Sequence, residues 1–167
     1  LQFSGAEVEM DRGIVTRILA PLEHMLRNSV SHGIESAEQR KKAGKPKDGS
    51  LEIKLFQEGS EIVMLVRDDG AGINKQAIIK KAIKLGVMKE GDQLSDQEIF
   101  HLILGAGFST ADELSQRSGR GVGMDVVVSE VKQLGGSLTI DSEAGIGTTF
   151  IIRLPLSLTA SRALLIK

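Results

Sequence analysis

The sequence predicts an α+β fold in which helices pack on one face of a mixed sheet. Three observations predict it. Several stretches repeat apolar residues at i, i+3, i+4 and i+7 behind capping residues, the signature of amphipathic helices. Two pairs of β-type stretches flank Gly-containing turns, as hairpins do. Helical and strand-like stretches also come in blocks, without strict βα alternation. At 167 residues, 41% apolar and 26% charged, the chain is one globular domain with a real core. A net charge of -1 gives no reason to invoke nucleic acid, and no apolar run reaches membrane-spanning length. No signal-peptide pattern opens the chain. Cys is absent, which excludes disulfides and thiolate chemistry and fits a reducing compartment.

Taken in order, Leu1 to Met10 reads as short extended pieces, in a chain expected to begin inside its domain. Asp11 caps a first helix to about Leu19, and Pro21 opens a second that Gly33 closes. In that second helix Leu22, Met25, Leu26, Ser29, Val30 and Gly33 form the apolar or small face. Ser36 caps a short helix ending near Gly44, and basic Arg40 to Lys47 reads as a solvated turn. Leu51 to Gln57 alternates as a strand, and Gly59-Ser60 turns it into a second, Glu61 to Arg67. That second strand is apolar on both faces and therefore central. Asn74 to Leu85 is amphipathic, with Ile78, Ile79, Ala82, Ile83 and Leu85 inward. Ser95 and Glu98 make a capping box for a helix through Leu104. Gly105 to Gly123, rich in Gly and Ser, is a candidate mobile loop. Met124 to Leu134 is a helix with Val127, Val128, Val131 and Leu134 inward. Ser137–Ser142 and Thr148–Leu154 are a closing hairpin.

Four places invite chemistry. His24, Asn28 and His32 stand four apart, in one helical row facing either a ligand or plain solvent. Asp68-x-Gly70-x-Gly72 follows the buried strand. A carboxylate there can accept from an exocyclic amine while two Gly let a flat ring approach, although an Asp-Gly turn reads the same way. Gly119-Arg120-Gly121-Val122-Gly123 opens the helix at Met124, and backbone N–H groups at a helix start favour phosphate. It follows loop, so it is no dinucleotide fingerprint, and it lacks the Gly-Lys of a P-loop. Gly145-Ile-Gly-Thr-Thr149 by itself is a hairpin turn.

In order, Asn28, Asp68-x-Gly-x-Gly, Gly107-Phe-Ser-Thr110, Gly119-x-Gly-x-Gly and Gly147-Thr resemble the N, G1, F, G2 and G3 boxes. These belong to the ATP-binding superfamily of histidine kinases, Hsp90, MutL and gyrase B. The wording from Leu26 to Glu35, Asp68 to Ile73, Ser118 to Val127 and Leu154 to Leu158 is closer still to CheA-type chemotaxis kinases. The resemblance covers about Val8 to Leu158. It implies the superfamily's two-layer α/β sandwich (Bergerat fold) over residues 1–156, with 157–167 starting a linker to a regulatory module.

The resemblance further implies ATP and Mg²⁺ as cofactors. Asn28 would ligate the metal through its amide oxygen. His24, His32 and Lys81 would supply charge near the phosphates. Asp68 would accept from the adenine amine, with Gly70, Gly72, Ile73 and Thr148 around the base. Ser109 and Thr110 would belong to a lid under which Phe108 packs. Gly119, Arg120, Gly121, Val122, Gly123 and Met124 would wrap the phosphates. The nucleophile would be a His on a separate phosphoacceptor domain. The implied partners are that domain, a dimerisation domain, a response regulator and a receptor-coupling protein. The implied setting is cytoplasmic, without direct membrane insertion, and the isolated domain is expected to be monomeric. CheA-type kinases usually carry Asp where Ser31 stands here, a weaker metal partner. Two rivals remain. One is an ATPase clamp, which would place Glu where His24 is. The other is a nucleotide sensor that has lost transfer, hinted at by Ser31.

Overall fold

The computed structural model of the chain describes residues 1–5, 8–105, 108 and 124–156. Five strands form one sheet in the order β1-β2-β3-β5-β4. The strands are β1 (Gln2–Gly5), β2 (Leu51–Glu58), β3 (Glu61–Asp68), β4 (Ser137–Glu143) and β5 (Gly147–Pro155). β1 runs parallel to β2 and every other pair is antiparallel, so the sheet is mixed, with β3 at its centre. Helices α1 (Arg12–Asn28), α2 (Ala37–Lys42), α3 (Lys75–Lys84), α4 (Asp96–Ile103) and α5 (Met124–Gln133) complete the described elements.

Register explains where the core ends and the site begins. Residues two apart on a strand share a face. Leu55, Met64, Ile152 and Leu138 pair across the sheet as one rung, and Ile53, Val66, Phe150 and Ile140 as the next. Both rungs join the core with Ile14, Ile18 and Met25 of α1, Ile78 and Ala82 of α3, Ile99 and Phe100 of α4, and Val127 and Val131 of α5. The following rung on that face is Leu51, Asp68, Thr148 and Ser142. The apolar layer thus gives way to three polar side chains at one end of the sheet.

Several local expectations hold because the capping chemistry is strong. Asp11 accepts from the Gly13 N–H, and Ser36 with Gln39 and Ser95 with Glu98 form reciprocal capping boxes. Others are corrected. The two helices expected around Pro21 are one. Pro21 removes a single backbone donor, but the buried row Ile14, Ile18, Pro21 and Met25 runs through it, and continuous burial outweighs one missing bond. Val30 is exposed, because the helix leaves α geometry after Asn28. Ser29–Gly33 is a π turn, closed by the Ile34 N–H on the Ser29 carbonyl at 2.8 Å. Leu85 lies past the end of α3 and is exposed. Among the described residues no helix is long and apolar enough to cross a membrane.

Candidate functional site

Asp68 is the last residue of β3 and is 2% exposed. Its carboxylate is held from three directions. The Ser29 hydroxyl donates to Oδ2 at 2.8 Å, the Gly70 N–H to Oδ1 at 3.0 Å, and the Thr148 N–H to Oδ1 at 3.2 Å. A carboxylate offers about four acceptor positions, so among the described residues one remains on Oδ2. Ser29 follows Asn28 directly, so this hydrogen bond ties the end of the helix that carries the row to the acid. The Thr148 hydroxyl pairs with Ser142 Oγ at 3.1 Å, and Ser142 Oγ accepts the Ile73 N–H at 2.9 Å.

The loop after Asp68 is stitched to two elements. Its Ala71 N–H donates to the Gly33 carbonyl at the end of the π turn, and its Ala71 carbonyl accepts from Gly145 N–H in the β4–β5 turn. This changes the reading of the two loop glycines. A Cβ on Gly70 would lie 2.0 Å from the Gly33 carbonyl oxygen, and one on Gly72 would lie 2.3 Å from that of Glu143. Both are required by the chain's own backbone.

On α1, His24 and Asn28 are half-buried one turn apart, while His32 is exposed in the π turn. Asn28 Nδ2 donates to Met124 Sδ at 3.4 Å, which ties α1 to the start of α5, and among the described residues the amide oxygen has no partner. Burial depresses the His24 pKa below its ordinary value, Arg27 adds to this, and Asp125 partly offsets it. Lys81 lies over the ring of buried Phe108, 5.7 Å from its centroid. Among the described residues no cluster of three or more His, Asp or Glu could cage a metal. An amide oxygen alone suits a hard cation that arrives with its own waters and phosphate ligands. Ser109, Thr110, Gly119, Arg120, Gly121, Val122 and Gly123 lie outside the described residues. A cavity of 490 Å³ between α4 and α5, lined by His101, Phe108 and Asp125 among others, includes none of Asn28, Asp68 or Thr148.

The sequence reading missed one feature entirely. Arg40, expected in a solvated turn, is 1% exposed. Its Nη2 donates to Asp69 Oδ2 at 2.8 Å, and Nη1 reaches Asp69 Oδ1 and Glu35 Oε2, both at 3.1 Å. Lys45 Nζ donates to Glu35 Oε1 at 2.7 Å and to the carbonyls of Asp69 and Gly70 at 2.9 and 2.7 Å. A buried guanidinium needs such a set of acceptors to offset its lost hydration. Burial works to raise the Asp69 pKa, but the Arg40 guanidinium and the Ser50 N–H hold it below the usual range. The hydrogen bond from Lys45 does the same for Glu35. The only sequence signal was the charge pairing of Glu35, Arg40 and Lys45 within one short stretch.

Comparison with known proteins follows this geometry. The family described as histidine kinase-, DNA gyrase B- and HSP90-like ATPases matches residues 18–158. The chemotaxis protein CheA of Bacillus subtilis is 46% identical over 169 residues, covering 100% of this chain and 25% of that protein. The sensor histidine kinase CheAY of Helicobacter pylori is also 46% identical, over 99% of this chain and 21% of its own length. The chain thus spans about a quarter of these curated relatives. In structure it is similar to the histidine kinase domain of a blue-light activated kinase from Erythrobacter litoralis. The TM-score is 0.54 at 17% identity, over 93% of this chain and 53% of that one. The nucleotide-free catalytic domain of the histidine kinase ThkA gives a TM-score of 0.53 at 18% identity, over 93% and 77%. These likenesses establish the fold.

Proposed function

Because the chain belongs to the family of histidine kinase-, DNA gyrase B- and HSP90-like ATPases, we propose that it binds Mg-ATP at the Asp68 site and presents the γ-phosphate to a histidine on a separate phosphoacceptor domain. The observation that carries this reading is the buried Asp68 carboxylate with one acceptor position left on Oδ2. An exocyclic amine is a donor of the right kind for that position. Ile73 and Thr148 stand beside the base, and Asn28, His24 and Lys81 face the phosphate end. The Asn28 oxygen would hold Mg²⁺, which would supply neutralising charge for the triphosphate.

The remaining work is positioning. Phosphoryl transfer rests on orientation and charge neutralisation more than on a protein nucleophile. His24 stands where the clamp-type ATPases of this superfamily carry a water-activating Glu, and an imidazole does not replace that carboxylate simply. This favours transfer over hydrolysis. The 46% identity to chemotaxis kinases supports the same choice. The partners are then a phosphoacceptor domain and a dimerisation domain of the same kinase, a response regulator and a receptor-coupling protein, in the cytoplasm.

The test is the fate of labelled γ-phosphate. With Mg²⁺ and a separately supplied phosphoacceptor domain, label on the acceptor's histidine is expected. Free phosphate with an unlabelled acceptor would replace this reading with an ATPase. Binding without either product would replace it with a nucleotide sensor, the reading that Ser31 favours.

A further inference from the structure

We infer that Arg40 and Lys45 are positioning residues for nucleobase recognition, acting through the loop that follows Asp68. This rests on the reading of Asp68 as the acceptor for the adenine amine. The direction of the Asp68 carboxylate depends in part on the loop that follows it. One of its three hydrogen bonds comes from the Gly70 N–H, and Gly70 belongs to a loop outside the sheet.

The two cations hold that loop by its main chain. Lys45 Nζ binds the carbonyls of Asp69 and Gly70, and Arg40 Nη1 also reaches the Asp69 carbonyl at 3.1 Å. The Asp69 side chain is gripped from below by both Nη atoms of Arg40 and by the Ser50 N–H at 2.8 Å. Arg40 is in turn anchored by donating Nε to the Pro46 carbonyl at 2.7 Å and Nη2 to that of Asp48 at 3.3 Å. All three guanidinium nitrogens are thus engaged, a rigid fork that an ammonium does not reproduce.

The consequence for recognition is specific. With peptide 69–70 fixed, the Gly70 N–H stays on Oδ1, and Oδ2 keeps its remaining acceptor position. Without the clamp, the loop keeps its bonds through Ala71 and the Asp69 N–H, but the Gly70 N–H can shift off Oδ1 and the amine meets a less well aligned partner. Neither cation touches nucleotide in this scheme, so the phosphate end is untouched.

The experiment exploits that separation. Affinities for ATP and for purine riboside triphosphate, which lacks the 6-amino group, are measured by calorimetry with Mg²⁺. The wild-type chain, Arg40→Met and Lys45→Met are compared below their melting temperatures. A general loosening of the fold weakens both ligands alike and leaves the ratio unchanged. The wild type is expected to prefer ATP by about tenfold or more, as a charge-assisted hydrogen bond implies. Both variants are expected to lower that preference to about threefold or less. If Arg40→Met does not fold, Lys45→Met alone decides, since Lys45 binds the two carbonyls directly. A wild-type ratio near one overturns the assignment of Asp68, and with it this inference. A wild-type preference retained in full by the folded variants overturns the inference and leaves the assignment standing.

Discussion

Asp68 accepts hydrogen bonds from residues 39 positions before it and 80 positions after it. Its geometry is therefore a product of the whole sheet end. Replacing it with Asn turns one acceptor oxygen into a donor. The cost is about 1.5–3 kcal/mol in ATP affinity, or at least about tenfold, readable by calorimetry. Unchanged affinity would refute the adenine role. Ser31 tests the phosphate end. It is exposed in the π turn three residues after Asn28. Ser31→Asp should tighten Mg-ATP binding while leaving metal-free ATP binding unimproved, because a carboxylate attracts the cation and repels bare triphosphate. Equal effects with and without Mg²⁺ would remove Ser31 from the metal question.

At the scale of elements, α1 links the core to the site. Ile14, Ile18, Pro21 and Met25 anchor it, and its last turns carry His24 and Asn28. Met25→Ala should therefore lower stability by about 2–5 kcal/mol in a denaturant titration. Little change would mean that the helix is held chiefly by its ends. The elements themselves were legible wherever local chemistry decides. Asp11, Ser36 and Ser95 mark helix starts through their own backbone contacts, and the alternation in β2 survives in the structure. Legibility failed where distant residues decide. Pro21 looked like a boundary because the burial that carries α1 through it comes from other elements. Arg40 looked solvated because its main partner, Asp69, is 29 residues away. The polar rung of Asp68, Thr148 and Ser142 needs the pairing register, which no single strand reveals. The acid and the late Gly-Thr were visible as motifs, but not as neighbours.

For the whole molecule, the Glu35-Arg40-Lys45-Asp69 network ties α2 and its following turn to the sheet. Asp69 and Glu35 both have pKa values depressed by folding. Their contribution to stability is fully present above the unfolded carboxylate values near about 4. It is lost as pH falls through the lower, folded values, because protonation then favours the unfolded chain. Melting temperature should accordingly drop below about pH 4, and Glu35→Gln should flatten part of that slope. An identical acid profile in the variant would exclude Glu35 from the linkage. One further property follows from Ser29–Gly33, the short run where the helix widens. It holds one residue more than an ordinary coil needs. Wound as an ordinary α-helix, the same five residues would turn Gly33 by about ninety degrees more relative to the histidine and the amide behind it, carrying its carbonyl off the Ala71 N–H. The wider coil therefore takes in one residue without turning what lies beyond it. A substitution that forced the run back to the narrower coil would be felt in the loop after Asp68, at a distance from the changed letter.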